Sequence, residues 1–268
     1  MTVGPEWGPS VERFSGYAAE YDLYRPSAPE ILLDVICELA STPKPEMVVD
    51  LGCGTGVSTR VGADRAGTVL GIDPSDDMLT VANARPAGNV KYRLGLSHDI
   101  ELEDESADVV TCGMSLRWMD PELTAAKIIR ILRPGGVFAS YSYHWHCTTI
   151  AIQDAYTELM ETIEGLGGQN QASGEIKRWP KRLQEETIEK SSTFQMTRLI
   201  GLHSIESFDA HGLAGFIKTF GVTQNVIKTG ISDEESGLAA FQRAVQNVVS
   251  QKAIRLVFTW HLWVAVKR

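Results

Sequence analysis

The chain has 268 residues, 43% of them hydrophobic and 22% charged, the balance of a soluble globular protein with room for one large α/β domain and an insertion. Its 25 Lys and Arg stand against 34 Asp and Glu, so the formal charge is −9, and no basic arm offers the electrostatic footprint of a nucleic-acid partner. A membrane is not expected either: the opening residues lack the basic start and apolar core of a secretion signal, and the longest apolar stretch, residues 254–266, is too short to span a bilayer and contains Arg255 and His261.

Four cysteines, Cys37, Cys53, Cys112 and Cys147, form no C-x-x-C pair, which argues against a zinc site or a disulfide framework and predicts buried thiols in a reducing cytoplasm. In chain order, Ser27 to Glu30 resembles a capping box, and Ile31, Leu32, Val35, Ile36 and Leu39 then share one helical face. Pro43 and Pro45 close that helix before a strand at 47–51. A helix follows Gly56, and a strand runs over 68–72. Ser75 caps the next helix, with Asp76 and Asp77 in the first turn, where the helix dipole favours anions. Strands are predicted at 90–94 and 107–112. Asp120 and Pro121 then open a helix running to Leu132, which Gly135 and Gly136 end before a fifth strand at 137–143.

This alternation implies an α/β fold, a parallel, doubly wound Rossmann-like sheet with ligands along the C-terminal edge of its strands. Beyond residue 148 the pattern changes. A helix at 148–164, a Gly-rich loop at 165–174 and a charged helix at 177–190 read as a helical cap inserted after the fifth strand. A strand at 197–208, helices at 209–220 and 233–249 and a final strand complete one domain.

The run VDLGCGTG at 49–56 carries the strongest chemical signal. Dinucleotide enzymes favour G-x-G-x-x-G, which seats a diphosphate on a helix N-terminus. Here the spacing is G-x-G-x-G, and Asp50 at the strand end would repel a diphosphate. A ligand with an ammonium beside a carboxylate suits both features, and S-adenosylmethionine is such a ligand. Asp73 closes the second strand, where an acid accepts hydrogen bonds from both ribose hydroxyls; the plainer alternative is a turn cap before Pro74.

With these motifs in view, the sequence resembles the class I S-adenosylmethionine-dependent methyltransferases, within them the branch of the trans-aconitate methyltransferases and many natural-product methyltransferases. The resemblance rests on FSGYAAEYDLYRP at 14–26, the glycine run, GIDPSDDML at 71–79, residues 104–120, LRPGG at 132–136 and FIKTF at 216–220, and covers nearly the whole chain. It implies a seven-stranded sheet, N-terminal helices over the cofactor within residues 1–40, and an acceptor pocket beneath residues 148–193. It also implies that Gly52, Gly54 and Gly56 let the backbone approach the methionine half of the cofactor. Ser97, His98 and Met78 would then lie by the adenine, Tyr24 and Arg25 over the cofactor, and Met114 where relatives carry a Gln.

Methyl transfer needs an aligned nucleophile, and a base only when that nucleophile is a hydroxyl or a carbon acid. The branch commonly carries a His-Trp pair where this chain has Arg117 and Trp118, so Arg117 is a candidate for holding an anionic group, with an ion pair to Asp120 as the plainer alternative. YSYHWHC at 141–147 supplies His144 and His146 as candidate bases, expected on opposite faces of the strand so that one reaches the site. Tyr21, Trp118, Tyr143, Trp145 and Trp179 are candidate pocket walls. His203, His211 and His261 have no companion residues and read as structural, and no grouping has metal-ligand spacing. The expected function is methylation of a small organic acceptor by a cytoplasmic monomer or homodimer. The alternatives are a cofactor-binding enzyme that does not methylate and a non-catalytic cofactor-binding protein.

Overall fold

The computed structural model describes residues 7–147, 149–167, 177–249 and 253–268. Short β-branched runs alternating with helices give five strands in the first half: β1 (Met47–Leu51), β2 (Thr68–Asp73), β3 (Val90–Leu94), β4 (Ala107–Gly113) and β5 (Leu132–His146). β6 (Phe194–Phe208) and β7 (Ile254–Lys267) extend them into a seven-stranded sheet of order β3-β2-β1-β4-β5-β7-β6. The sheet is mixed: β1 to β5 are parallel, as the alternation of strands and helices predicts, while β7 runs antiparallel to both β5 (Val137 opposite Val266) and β6 (Thr197 opposite Ala265). Because β1 pairs with β2 on one side and β4 on the other, the crossovers diverge there and leave a crevice above the strand ends.

Three helices precede β1: α1 (Gly8–Glu12), α2 (Ala18–Tyr24) and α3 (Glu30–Leu39). The crossovers carry α4 (Val57–Val61), α5 (Asp76–Ala84) and α6 (Pro121–Ile131). Between β5 and β6 lie α7 (Ile150–Gly167) and α8 (Lys181–Glu189); between β6 and β7 lie α9 (Ala210–Lys218), α10 (Gly221–Ile227) and α11 (Leu238–Val249). Two caps form as the sequence predicts: Ser75 Oγ accepts from Met78 N at 3.4 Å, and Asp120 accepts from the backbone N of Glu122 and Leu123. The capping box at Ser27 does not form. Pro29 stands at the N-cap with no side-chain bond, and of the predicted face only Leu32 and Ile36 are buried, while Ile31 is exposed. α10 was not anticipated, and β5 starts directly at Leu132 instead of after the glycines.

Side-chain alternation along β5 and β7 sends apolar residues to two cores, one on each face. Val137, Ala139, Tyr141 and Tyr143 join Ile152 and Leu159 of α7 and Phe241 of α11, whereas Phe138 and Trp263 join Ile128 of α6 and Ile188 of α8. α7 and α8 therefore leave the end of β5 for opposite faces of the sheet. Thr148 and most of the predicted 165–174 loop lie outside the described residues, as do residues 1–6. Of the cysteines, Cys112 alone is buried; Cys37, Cys53 and Cys147 are half-buried, and all four are free. Among the described residues no helix is long and apolar enough to cross a membrane.

Candidate active site

The crevice above β1, β2 and β4 is built around the glycine turn. Gly52, Gly54 and Gly56 all have positive φ, at 67°, 56° and 76°. A Cβ on Gly52 would lie 2.4 Å from the Ser115 Cβ, and one on Gly56 would lie 2.2 Å from the Tyr92 hydroxyl. At these two positions the missing side chain admits protein. Gly54 differs, with nothing within 4 Å of its Cβ position. The turn hangs on β2 through Gly52 N and Cys53 N, both donating to the Ile72 carbonyl.

Two buried carboxylates organise this turn. Asp50 accepts from the hydroxyls of Thr59 (2.6 Å) and Thr111 (2.8 Å), tying β1 to α4 and β4. Asp73 accepts from Gly54 N (2.8 Å) and Ser75 N (2.9 Å), so it caps the turn before α5 and also fixes the glycine loop. Burial raises the pKa of each to about 6, against the opposing effect of these hydrogen bonds. Each carboxylate also faces open space: Asp73 lines a cleft with Gly52 and Gly54, and Asp50 an adjoining one with Arg25 and Thr55.

The Asp73 cleft, about 120 Å³, continues between Met78, Leu96, Ser97 and His98 on one side and Trp7, Val11 and Phe14 of the N-terminal segment on the other. Ser97 shares a hydroxyl hydrogen bond with Thr124 at 2.8 Å. The His98 ring packs 5.5 Å from Trp7, and its Nδ1 is buried with no hydrogen-bond partner. α2 is pinned over the turn by Arg60, which donates to the Thr55 carbonyl (2.5 Å) and to Asp22 (2.6 Å). Tyr21 and Met114 line both clefts and also a third cavity of about 750 Å³ along the ends of β4 and β5. Met114 has φ +59°, rare for a side chain of its size, and donates its N–H to the Tyr141 carbonyl.

Arg117, Trp118, Tyr143, Trp145, His144 and His146 all line the large cavity, joined by Gln153 and Tyr156 of α7 and Lys181 of α8. His144 and His146 are two residues apart on an extended strand, so they share a face, opposite Tyr143 and Trp145; a period of two forbids the alternation expected for them. Arg117 makes no ion pair with Asp120, whose carboxylate is occupied as the α6 cap. Arg25 donates to the Tyr143 hydroxyl (2.8 Å) and the Thr219 carbonyl (2.9 Å), and its guanidinium lies 5.0–5.6 Å from the rings of Tyr21, Phe216 and Phe220.

Other expectations are corrected. Tyr24 lies away from the clefts, its ring against Gly215 and its hydroxyl 2.9 Å from His211 Nε2. Trp179 packs on Trp7, 5.8 Å between rings, and so walls the N-terminal roof and not the large cavity. The three histidines read as companionless each have one: His211 has Tyr24, His203 has Thr259, and His261 has His144 at 5.3 Å. Burial and then His144, Lys181 and His203 lower the His261 pKa. Sequence reasoning missed Trp7, Phe14, Arg13 and Arg178. Phe14 opens the 14–26 motif, and Arg178 stands directly before Trp179.

Residues 49–140 match the methyltransferase-domain family. The curated relatives include an uncharacterized methyltransferase of Mycobacterium tuberculosis, 34% identical over 46% of this chain and 49% of its own. The trans-aconitate 2-methyltransferase of Deinococcus radiodurans is 27% identical over 82% of this chain and 86% of its own. These likenesses are to class I S-adenosylmethionine-dependent methyltransferases, and the family match covers about a third of the chain. The chain spans about half the length of the first of these curated relatives. The methyltransferase fold recurs in a solved structure from Anaeromyxobacter dehalogenans described as a type II methyltransferase, with TM-score 0.67 and 21% identity over 91% of this chain and 98% of that one. It recurs as well in a Haemonchus contortus phosphoethanolamine N-methyltransferase complexed with S-adenosylmethionine, with TM-score 0.52 and 19% identity over 94% and 56% of the two chains.

The cleft beside the glycine turn fits S-adenosylmethionine by its own groups. The acids stand at the turn, Gly54 leaves open space, and His98 Nδ1 is an unsatisfied buried polar atom at the far end. Raised carboxyl pKa values give the site a pH dependence of definite sign. In the folded protein Asp50 and Asp73 protonate near pH 6, above their unfolded value, so their ionisation costs the empty fold stability as pH rises toward and through 6. A cationic ligand needs the ionised forms, so its binding strengthens over the same interval. Calorimetry is expected to find S-adenosylmethionine bound about tenfold more weakly at pH 5 than at pH 7.5. Asp50→Asn should flatten that profile, and a profile unchanged by this substitution would remove Asp50 from the cation contact.

Proposed function

We propose that this protein methylates a small organic acceptor seated in the 750 Å³ cavity, a carboxylic acid or a polyketide- or terpenoid-like metabolite, at oxygen or carbon. The observation that carries this reading is that Tyr21 and Met114 line the clefts beside Asp50 and Asp73 and the large cavity alike, so the three adjoin there. The similarity to a trans-aconitate 2-methyltransferase, over 82% of this chain, supports a carboxylic acid. When bound, S-adenosylmethionine supplies an electrophilic methyl group for in-line displacement.

The protein then has to position the acceptor and exclude water. Asp73 is the ribose acceptor, with Ser97, His98 and Met78 at the base. Asp50, Gly52, Gly54, Gly56 and Arg25 serve the amino-acid end, with Met114 where the two substrates meet. α1 and α2 cover the cofactor, and α7 on one face of the sheet and Arg178 with the start of α8 on the other wall the acceptor. Tyr21, Trp118, Tyr143 and Trp145 form apolar and aromatic walls, and holding two reactants in line contributes several kcal/mol, on the order of 7 or more in well-oriented cases. Arg117 orients an acceptor anion. His144, with His146 on the same face, is placed to take a proton from a hydroxyl or carbon acid; a carboxylate acceptor is already ionised and needs none.

Incubation with S-adenosylmethionine and a panel of small acids should release S-adenosylhomocysteine. Conversion of an acceptor without that product would favour a non-methylating enzyme. Replacing His144 by alanine should lower turnover on a hydroxyl or carbon-acid acceptor at least tenfold with cofactor affinity kept. Equal losses in both quantities would undo its assignment as the base.

A further inference from the structure

Among the described residues, the large cavity is lined by four arginines and a lysine and by no carboxylate, in a chain that carries 34 acids against 25 bases. Lys181 is paired with Glu185 at 3.6 Å and Arg25 is held by Tyr143 and Thr219. The remaining three form a cluster. The guanidinium carbons of Arg13, Arg178 and Arg117 lie 5.4, 5.7 and 6.0 Å from the ring centre of Trp118. Among the described residues none of the three has a carboxylate within ion-pair distance.

These arginines come from three distant parts of the chain, and the fold holds the parts together. Arg13 ends α1 and packs against Gly221. Arg117 lies in the single helical turn after β4. Arg178 precedes α8 in a segment fastened on both sides: Trp179 N donates to the Arg117 carbonyl at 2.9 Å, and Lys177 N donates to Ser10 Oγ at 3.0 Å. One indole offers two faces, and a cation over it gains about 0.5–1 kcal/mol at an exposed site. That is a weak return for gathering three like charges. Their mutual repulsion is visible in the arginines themselves: burial and then Arg178 and Arg13 lower the Arg117 pKa, and Arg178 also opposes the charge on Arg13. An oxyanion between the three would relieve the repulsion and find forked donors suited to carboxylate or phosphate oxygens.

Resting on the methyltransferase reading above, we propose that Arg13, Arg117 and Arg178 form an oxyanion-binding subsite at the mouth of the acceptor cavity, which holds a multiply charged head group of the acceptor away from the atom that is methylated. Phosphate and polycarboxylate heads share this chemistry. Arg117 and Arg178 are exposed and Arg13 half-buried, so the subsite also steers anions toward a cavity in an otherwise acidic protein.

The test uses the full chain saturated with S-adenosylhomocysteine, titrated calorimetrically with sodium pyrophosphate and, separately, sodium citrate at matched ionic strength. Saturable one-site binding of either probe is expected; pyrophosphate alone would assign a phosphorylated acceptor and citrate alone a polycarboxylate. The Arg117→Gln/Arg178→Gln double variant should bind the probe at least tenfold more weakly, with affinity for S-adenosylhomocysteine within twofold of the parent. Arg117→Lys should keep part of the probe binding. No saturable binding of either probe, or equal binding by the double variant, would overturn the subsite while leaving the methyltransferase reading intact. Failure of the parent to bind S-adenosylhomocysteine would instead strike the reading on which it rests.

Discussion

Replacing Asp73 by alanine is expected to weaken S-adenosylmethionine binding by more than tenfold, a loss of at least about 1.4 kcal/mol. Two effects combine. The carboxylate accepts from Gly54 N at 2.8 Å, so its removal frees the middle of the glycine turn just where the backbone meets open space. The proposed ribose contact also disappears, and hydrogen bonds to a charged acceptor contribute about 1.5–3 kcal/mol. Asp73→Asn separates the two. An amide oxygen can still accept from one backbone N–H, so the turn keeps part of its support while the charge is lost. Calorimetric titration measures both variants. An unchanged dissociation constant in Asp73→Ala would remove Asp73 from the cofactor contact and leave it a turn cap.

Gly52→Ala should be the most damaging single substitution in the turn. The position has φ +67°, where an L side chain costs roughly 1–2 kcal/mol, and the new methyl would lie 2.4 Å from the Ser115 Cβ. Ser115 cannot yield freely, because its hydroxyl donates to the Leu51 carbonyl at 2.6 Å. Overpacking of this kind adds about 1–3 kcal/mol. A total of about 3 kcal/mol corresponds to a fall in Tm of about 6–12 °C for a chain of this size, together with loss of cofactor binding. Gly54→Ala is the internal control. Its φ is positive but no atom lies within 4 Å, so its melting temperature should stay closer to the parent, and any loss falls on the ligand. If Gly52→Ala melts with the parent, the close approach to Ser115 is not what the glycine serves.

The first half of the chain was legible because its signals are local. The strand at 47–51, the Ser75 and Asp120 caps and the acid ending β2 each follow from residues within a few positions of one another. Antiparallel β7 between β5 and β6 was not legible, since pairing partners 46 or more residues apart leave no mark on periodicity. The Ser27 cap failed because Pro29 starts the helix two residues later. Tyr24 was misplaced for a related reason: its packing partner, Gly215, lies 191 residues away on α9. The arginine cluster around Trp118 is likewise a product of tertiary assembly. No two of its members are closer than 61 residues in sequence, so no motif could announce it. The pairing of His144 with His146 on one face was within reach of the sequence, because a strand repeats every two residues.

In the proposed function, Asp50 before the glycine turn and Asp73 at the end of β2 together receive a sulfonium nucleoside. Calorimetric titration of the purified protein with S-adenosylmethionine at pH 7.5 tests it most directly. The account predicts one saturable site per chain that a nicotinamide dinucleotide does not compete for. No detectable binding, or a nicotinamide dinucleotide taking that site in its place, would contradict it.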